Sequence, residues 1–196
     1  MKPIYIPNYI DDHLELYQEL RDSLIWIESE LPRKEYFMAF ESGLTYAYGN
    51  KALAPTYKSQ AFHPRVQSLV NRLNNEFGQE YNACFLNRYD TGKDFLGFHS
   101  DNSPEMSQDN DICVISTGED TREIWWRKQG EKGDVPLENR LMLGLGSLFI
   151  MPGRKDGNPG FQDLYFHRIP KSDKQNCKPR ISLTFRKYVK IEGENS

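Results

Sequence analysis

From residue 35 onward this chain of 196 residues is cut into short β-rich runs, and that punctuation constrains its fold more than any other feature. "EYFMAF" (35–40), "LTYAYG" (44–49), "NACFLNRY" (82–89), "DICVIST" (111–117), "EIWWRK" (123–128), "NRLMLGLGSLFIM" (139–151), "DLYFHRI" (163–169) and "RISLTFRKYV" (180–189) are rich in β-branched and aromatic residues. Turn clusters such as "DTGKD", "KQGEKGD" and "PGRKDGNPG" separate them, as in strands that fold back on one another.

Helical periodicity is confined to the region before residue 79. Residues 11–32 read as one amphipathic helix, capped by Asp11 or Asp12, striped by Leu14, Tyr17, Leu20, Leu24, Ile27 and Leu31, and stopped at Pro32. A second helix begins at His63-Pro64, carries Val66, Leu69, Val70, Leu73 and Phe77 on one face, and ends at Gly78. Helices followed by many strands predict an α+β fold with a sandwich or barrel. The length suits one domain over residues 1–196, burying roughly 70% of the unfolded surface, and no repeat or linker divides it.

Net charge is −3, so whole-chain electrostatics do not attract nucleic acid and any such partner needs a local basic face. Arg168, Lys171, Lys174, Lys178, Arg180, Arg186, Lys187 and Lys190 supply a candidate, or simply a solvated loop and strand edge. Cys84, Cys113 and Cys177 never form a CxxC spacing, which favours a reducing compartment over a disulfide framework or zinc finger. No signal-peptide pattern and no membrane-length apolar run is visible. The expectation is a cytoplasmic protein, or a nuclear one in a eukaryote, not secreted and with no membrane or obligate protein partner.

The chemistry lies in "NRYDTGKDFLGFHSD", residues 87–101. Alternate residues of a strand point to one side, so His99 and Asp101 can aim an imidazole and a carboxylate into one pocket. Two histidines and a carboxylate on one face, with positions left open, make the facial triad of mononuclear Fe(II) oxygenases. The second histidine must be His13, His63 or His167. His13 and His63 lie in or beside helices, whereas His167 sits in a late strand-like run able to pair across a barrel.

In "RISLTFR", Ile181, Leu183 and Phe185 face one way and Arg180, Ser182, Thr184 and Arg186 the other. If the apolar face packs into core, the two arginines line the interior and need anionic partners, and a dicarboxylate is one. Asn87 and Tyr89 are likewise alternate, and both can hydrogen-bond a carboxylate or keto oxygen.

These motifs, in this order, resemble the AlkB-type Fe(II)- and 2-oxoglutarate-dependent dioxygenases, which oxidatively demethylate nucleic-acid bases: "NRY" (87–89), "HSD" (99–101), "IST-G" (115–118), "GSLFIM" (146–151), "QDLYFH" (162–167) and "RISLTFR" (180–186). The resemblance covers roughly residues 36–188. It implies a double-stranded β-helix, or jelly-roll, core with supporting N-terminal helices. His99, Asp101 and His167 would be the catalytic metal ligands, with Fe(II), 2-oxoglutarate and O₂ as cofactors. Arg180 would pair with the distal carboxylate of 2-oxoglutarate, Arg186 would lie by its metal end, and Asn87 and Tyr89 would contact it. Decarboxylation to succinate and CO₂ would drive hydroxylation of an N-methyl group, then lost as formaldehyde.

For an alkylated DNA or RNA substrate, Tyr46 and Tyr48 share a face and can offer stacking, while Arg122, Arg127 and Lys128 near Trp125 and Trp126 can meet phosphate. Asn102 and Ser103 replace an acidic residue that the family carries close after the iron-binding Asp, which puts Asn102 among the expected substrate contacts. The same chemistry on a protein side chain, a nucleotide or a small molecule is the alternative.

Overall fold

The computed structural model describes residues 2–28, 31–47 and 56–190. In chain order its elements are β1 (Ile4–Ile6), α1 (His13–Ser23), β2 (Lys34–Ala39), β3 (Thr45–Ala47), β4 (Thr56–Lys58), α2 (Pro64–Phe77), β5 (Ala83–Tyr89), β6 (Leu96–His99), β7 (Ile112–Gly118), β8 (Arg122–Lys128), β9 (Arg140–Leu143), β10 (Leu148–Met151), α3 (Phe161–Leu164), β11 (Tyr165–Ile169) and β12 (Arg180–Arg186). A large antiparallel sheet has the order β1-β10-β7-β12-β5-β2 and a smaller one β6-β11-β8-β9. Strands adjacent in a sheet are mostly distant in sequence, as a jelly roll requires.

The period-2 alternation of β12 organises both layers. Ile181, Leu183 and Phe185 face outward from the large sheet into a core with Leu16, Tyr17 and Leu20 of α1 and Val66, Val70 and Leu73 of α2. These residues are at most 3% exposed, and each fully buried aliphatic side chain contributes about 1.5–3 kcal/mol. The helices thus cover one face of the sheet, leaving the other to meet the small sheet. Between the sheets lies a second core including Val114, Phe149 and Met151 from one side and Ile124, Trp126, Leu143 and Ile169 from the other. The β3–β4 hairpin adds a third cluster, packing Tyr46 and Tyr57 on Phe37 and Phe85.

Helix α2 has the expected bounds: the His63 ring accepts from the Arg65 N–H, and Gly78 takes a left-handed φ of 61°. Helix α1 does not reach Pro32. It stops at Ser23, and Leu24 is already extended at ψ 140°. The following Ile25, Trp26 and Ile27 are β-branched or aromatic, and Ile27 exchanges two backbone hydrogen bonds with Glu35, at 2.9 and 3.1 Å. Leu14 and Ile27, placed on the apolar stripe by periodicity, are 40% and 39% exposed.

The run 139–151 divides into β9 and β10 because Gly146, at φ 71°, turns the chain back. An ideal Cβ at Gly146 would lie 2.2 Å from the Ile10 carbonyl oxygen, so only glycine fits. Strand β1 was not legible: it holds three residues between Pro3 and Pro7 and sits at a sheet edge, where proline is tolerated. Among the described residues no helix is long and apolar enough to cross a membrane.

Candidate metal and cosubstrate site

His99 and His167 come together because β6 and β11 are neighbours and the two residues are register partners. Their ring centroids lie 4.1 Å apart. Asp101 joins them from beyond the strand: β6 ends at His99, so strand alternation does not place the carboxylate. A polar clamp does. The Gln162 side-chain oxygen accepts from the Asp101 backbone N–H at 2.9 Å, and the Gln162 carbonyl accepts from the Ser100 hydroxyl at 2.7 Å. The Asp101 oxygens then lie 3.6 Å from His99 Nε2 and 3.7 Å from His167 Nε2. One donor atom from each of the three residues falls within 4.8 Å of the others, so the set can hold a metal ion.

The electrostatics suit a metal. His99 Nδ1 lies 2.9 Å from the Gly97 carbonyl, which favours the Nδ1–H tautomer and makes Nε2 the ligating nitrogen. Burial lowers the pKa of both rings, that of His167 to about 3 with His99 as a second cause, so both are neutral at pH 7. Burial alone would raise the Asp101 carboxyl, but Arg186, then His99 and His167, outweigh it and hold it below the usual range. No proton has to leave before a cation binds.

At the three ligands a pocket opens between the two sheets. Asn87, Tyr89, Arg180, Ser182, Thr184 and Arg186 line it from the large sheet, and Leu96, Ile124, Leu143 and Ile169 from the small one. Arg180 is 0% exposed and donates through Nη2 to Ser116 Oγ at 2.9 Å. Its Nε and Nη1, and the Tyr89 hydroxyl, are buried with no hydrogen-bond partner among the described residues. Burial lowers the Arg180 pKa to about 10, so it remains a cation at neutral pH. Orphaned donors around a buried cation demand an anionic acceptor. Two imidazoles, one carboxylate and this pole therefore fit Fe(II) together with a dicarboxylate. The close approach of β7 and β12 makes Gly118 necessary: at φ 126°, a Cβ there would lie 2.6 Å from Arg180 Cα.

Arg186 and Asn87 also border the cavity. Arg186 Nη2 is 2.8 Å from Asp101 Oδ1, and its Nη1 donates to the Tyr46 hydroxyl at 2.8 Å. The Asn87 side-chain oxygen Oδ1 accepts from Arg33 Nε at 2.7 Å, and Arg33 pairs with buried Glu35 at 2.5 Å. Tyr57 of the hairpin donates to the same Glu35.

The expected substrate contacts fare differently. Tyr46 is 1% exposed, so it is a core aromatic and an anchor for Arg186 rather than a stacking surface. Tyr48 lies outside the described residues. Arg122 shares the buried face of β8 with Ile124 and Trp126 and donates to the carbonyls of Thr91, Asp94 and Pro170 at 3.2, 2.6 and 2.5 Å, which removes it from phosphate. Asn102 is exposed immediately beside Asp101. The basic stretch does not form one face: Arg180 and Arg186 point inward, Lys174 pairs with Asp120 at 2.7 Å, and Lys190 pairs with Glu41 at 2.8 Å. Sequence reasoning missed Gln162 as a positioning residue, and Arg33 and Glu35. Only Gln162 left a signal, inside "QDLYFH".

Comparison with known proteins agrees with this geometry. Residues 9–186 match the model of the 2OG-Fe(II) oxygenase superfamily. The bovine (Bos taurus) DNA oxidative demethylase ALKBH2 is 28% identical over 190 residues, covering 89% of this chain and 64% of that protein. The human alpha-ketoglutarate-dependent dioxygenase alkB homolog 3 is 31% identical over 153 residues, covering 76% of this chain and 50% of that one. The chain thus spans less than two thirds of the length of these relatives. An oxidoreductase of the 2OG-Fe(II) oxygenase family from Burkholderia pseudomallei shares the fold, with a TM-score of 0.57 at 17% identity over 94% of this chain and 82% of that one. Fe(II), 2-oxoglutarate and O₂ are the cofactors of such proteins, and the chain belongs to the 2OG-Fe(II) oxygenase superfamily as an AlkB-like member.

Proposed function

We propose that this chain, acting as one domain, oxidatively demethylates N-alkylated bases in DNA or RNA. The observation that carries the reading is one pocket between the sheets that is lined by three metal-ligand side chains and by a buried, incompletely satisfied guanidinium. Relatives named as a DNA oxidative demethylase and an alkB homolog support the substrate class.

In this reading His99, Asp101 and His167 hold the iron, and Arg180 takes the distal carboxylate of 2-oxoglutarate, with the Tyr89 hydroxyl as a second donor. Asn87, whose side-chain oxygen is already engaged by Arg33, has its amide nitrogen to offer to the cosubstrate. Arg186 keeps Asp101 ionised and oriented. Leu96, Ile124, Leu143 and Ile169 exclude water, which strengthens the Arg180–carboxylate pair. Iron loaded with 2-oxoglutarate and O₂ supplies the oxidising power to hydroxylate an N-methyl group, releasing succinate and CO₂ and, as the product collapses, formaldehyde.

The test is incubation of the chain, Fe(II), ascorbate and 2-oxoglutarate with an oligonucleotide carrying 1-methyladenine or 3-methylcytosine. Succinate and formaldehyde in equal amounts are expected. Absence of both across methylated single- and double-stranded DNA and RNA would sink the proposal.

A further inference from the structure

The outer face of the small sheet, away from the cavity, carries an alternating row of aromatic and guanidinium groups. Arg168 and Trp125 are register partners across β11 and β8, as are Trp125 and Arg140 across β8 and β9. The Arg168 guanidinium stands 4.7 Å from the Phe98 ring and 4.3 Å from the Trp125 ring, and Arg140 stands 4.2 Å from Trp125. Arg127 closes the end of the row, 4.0 Å from Phe98. The row thus crosses all four strands, roughly 14 Å at the usual strand spacing.

Its charge is uncompensated. The one carboxylate on these strands that shares the face, Glu123, accepts from Trp125 Nε1 at 3.0 Å. Among the described residues Arg140 donates only to the Val135 carbonyl, while Arg127 Nε and Arg168 Nε have no hydrogen-bond partner. Three clustered cations in a chain of net charge −3 call for a polyanion. Guanidinium planes stacked on rings are already ordered, and their N–H edges match phosphate oxygens. The row also backs directly onto the metal ligands: Phe98 precedes His99 and Arg168 follows His167, and β6 is one of the two edge strands of the sheet.

We propose that this row is a track for the phosphate backbone of the nucleic-acid strand whose modified base enters the cavity, beside the edge of β6. The inference rests on the demethylase reading above. A base delivered on a short fragment reaches the cavity without the track, whereas a longer strand uses both.

The experiment compares a trinucleotide and a 12-nucleotide single-stranded DNA, each carrying one 1-methyladenine, on the wild-type chain and on Arg140→Gln/Arg168→Gln. The double variant is expected to turn over the trinucleotide within twofold of wild type but to bind the 12-mer at least tenfold more weakly. Its log–log salt slope should fall by about 1.4, the value for two lost phosphate contacts on a single strand. Arg140→Gln alone, at the edge strand, should lower the slope by about 0.7, which keeps the test open if the double variant does not fold. Unchanged affinity and slope in the variants overturn the track, as does a wild type that binds the 12-mer no more tightly than the trinucleotide or an acidic peptide more tightly than either. If no methylated nucleic acid is turned over, the demethylase reading fails, and the track then stands or falls on the 12-mer affinities alone.

Discussion

Arg186 Nη2 stands 2.8 Å from Asp101 Oδ1, and both side chains are at most 5% exposed. The pair links the last residue of β12 to a ligand-bearing loop 85 positions earlier in the chain. Removing one partner of such a pair leaves a buried charge uncompensated, at about 3–5 kcal/mol. Arg186→Gln should therefore lower the stability of the metal-free chain by that order in urea unfolding, and Asp101→Asn in the same background should recover part of the loss. Additive effects of the two changes would show that the pair does not act as a unit.

Arg180 offers a separable prediction, since its interactions face the cavity rather than the metal ligands. A charge-assisted hydrogen bond contributes about 1.5–3 kcal/mol. Arg180→Met should weaken 2-oxoglutarate by roughly 10- to 100-fold in calorimetry on the Mn(II)-loaded chain, with Mn(II) affinity itself little altered. Equal loss of both affinities would assign Arg180 to the general architecture of the barrel.

The contrast between these arginines and Arg122 shows what the sequence makes legible. In "RISLTFR" the alternation is strict, and the all-apolar half identifies the core side, so the opposite half had to enter the barrel. In β8 the same period separates Arg122, Ile124 and Trp126 from Glu123, Trp125 and Arg127, but neither half is purely apolar, and the buried face is decided only by packing. Tyr46 is the same case within a three-residue strand. Asp101 lies beyond the strand end, so its place depends on Gln162, 61 residues away in sequence. A long-range polar clamp leaves no local period. The end of α1 went unread because Leu24 and Ile27 fit a helical stripe, whereas Leu24 is extended and Ile27 pairs with Glu35.

Gln162 is testable as a positioning residue. It holds the Asp101 backbone and the Ser100 hydroxyl but does not supply a metal-ligand atom. Loss of outer-shell support of this kind costs 10- to 100-fold in metal affinity. Gln162→Leu should show that drop in Mn(II) titrations and keep a cooperative unfolding transition. His99→Ala should instead abolish turnover altogether with the fold retained, whereas Asp101→Ala should abolish turnover and also lose stability, because it leaves Arg186 buried without its carboxylate. Wild-type metal affinity in Gln162→Leu would mean that the loop holds Asp101 without it.

Asp120 gives a prediction in pH. It is 5% exposed and accepts from Lys174 Nζ at 2.7 Å and from the backbone N–H groups of Thr121 and Lys178 at 3.0 and 3.1 Å, tying the 174–178 segment to the turn before β8. Burial pushes its carboxyl up, but Lys174 and the two N–H donors outweigh burial and hold it below the usual carboxylate value. A depressed folded-state pKa contributes stability that is present above the unfolded value of about 3.9 and is lost as pH falls through the folded one. Asp120→Asn should therefore be less stable than wild type at pH 7, with the gap shrinking as the pH is taken below about 4. Urea midpoints measured between pH 7 and pH 3 decide it: a gap that stays constant, or widens in acid, would show that the carboxylate charge does not hold this segment.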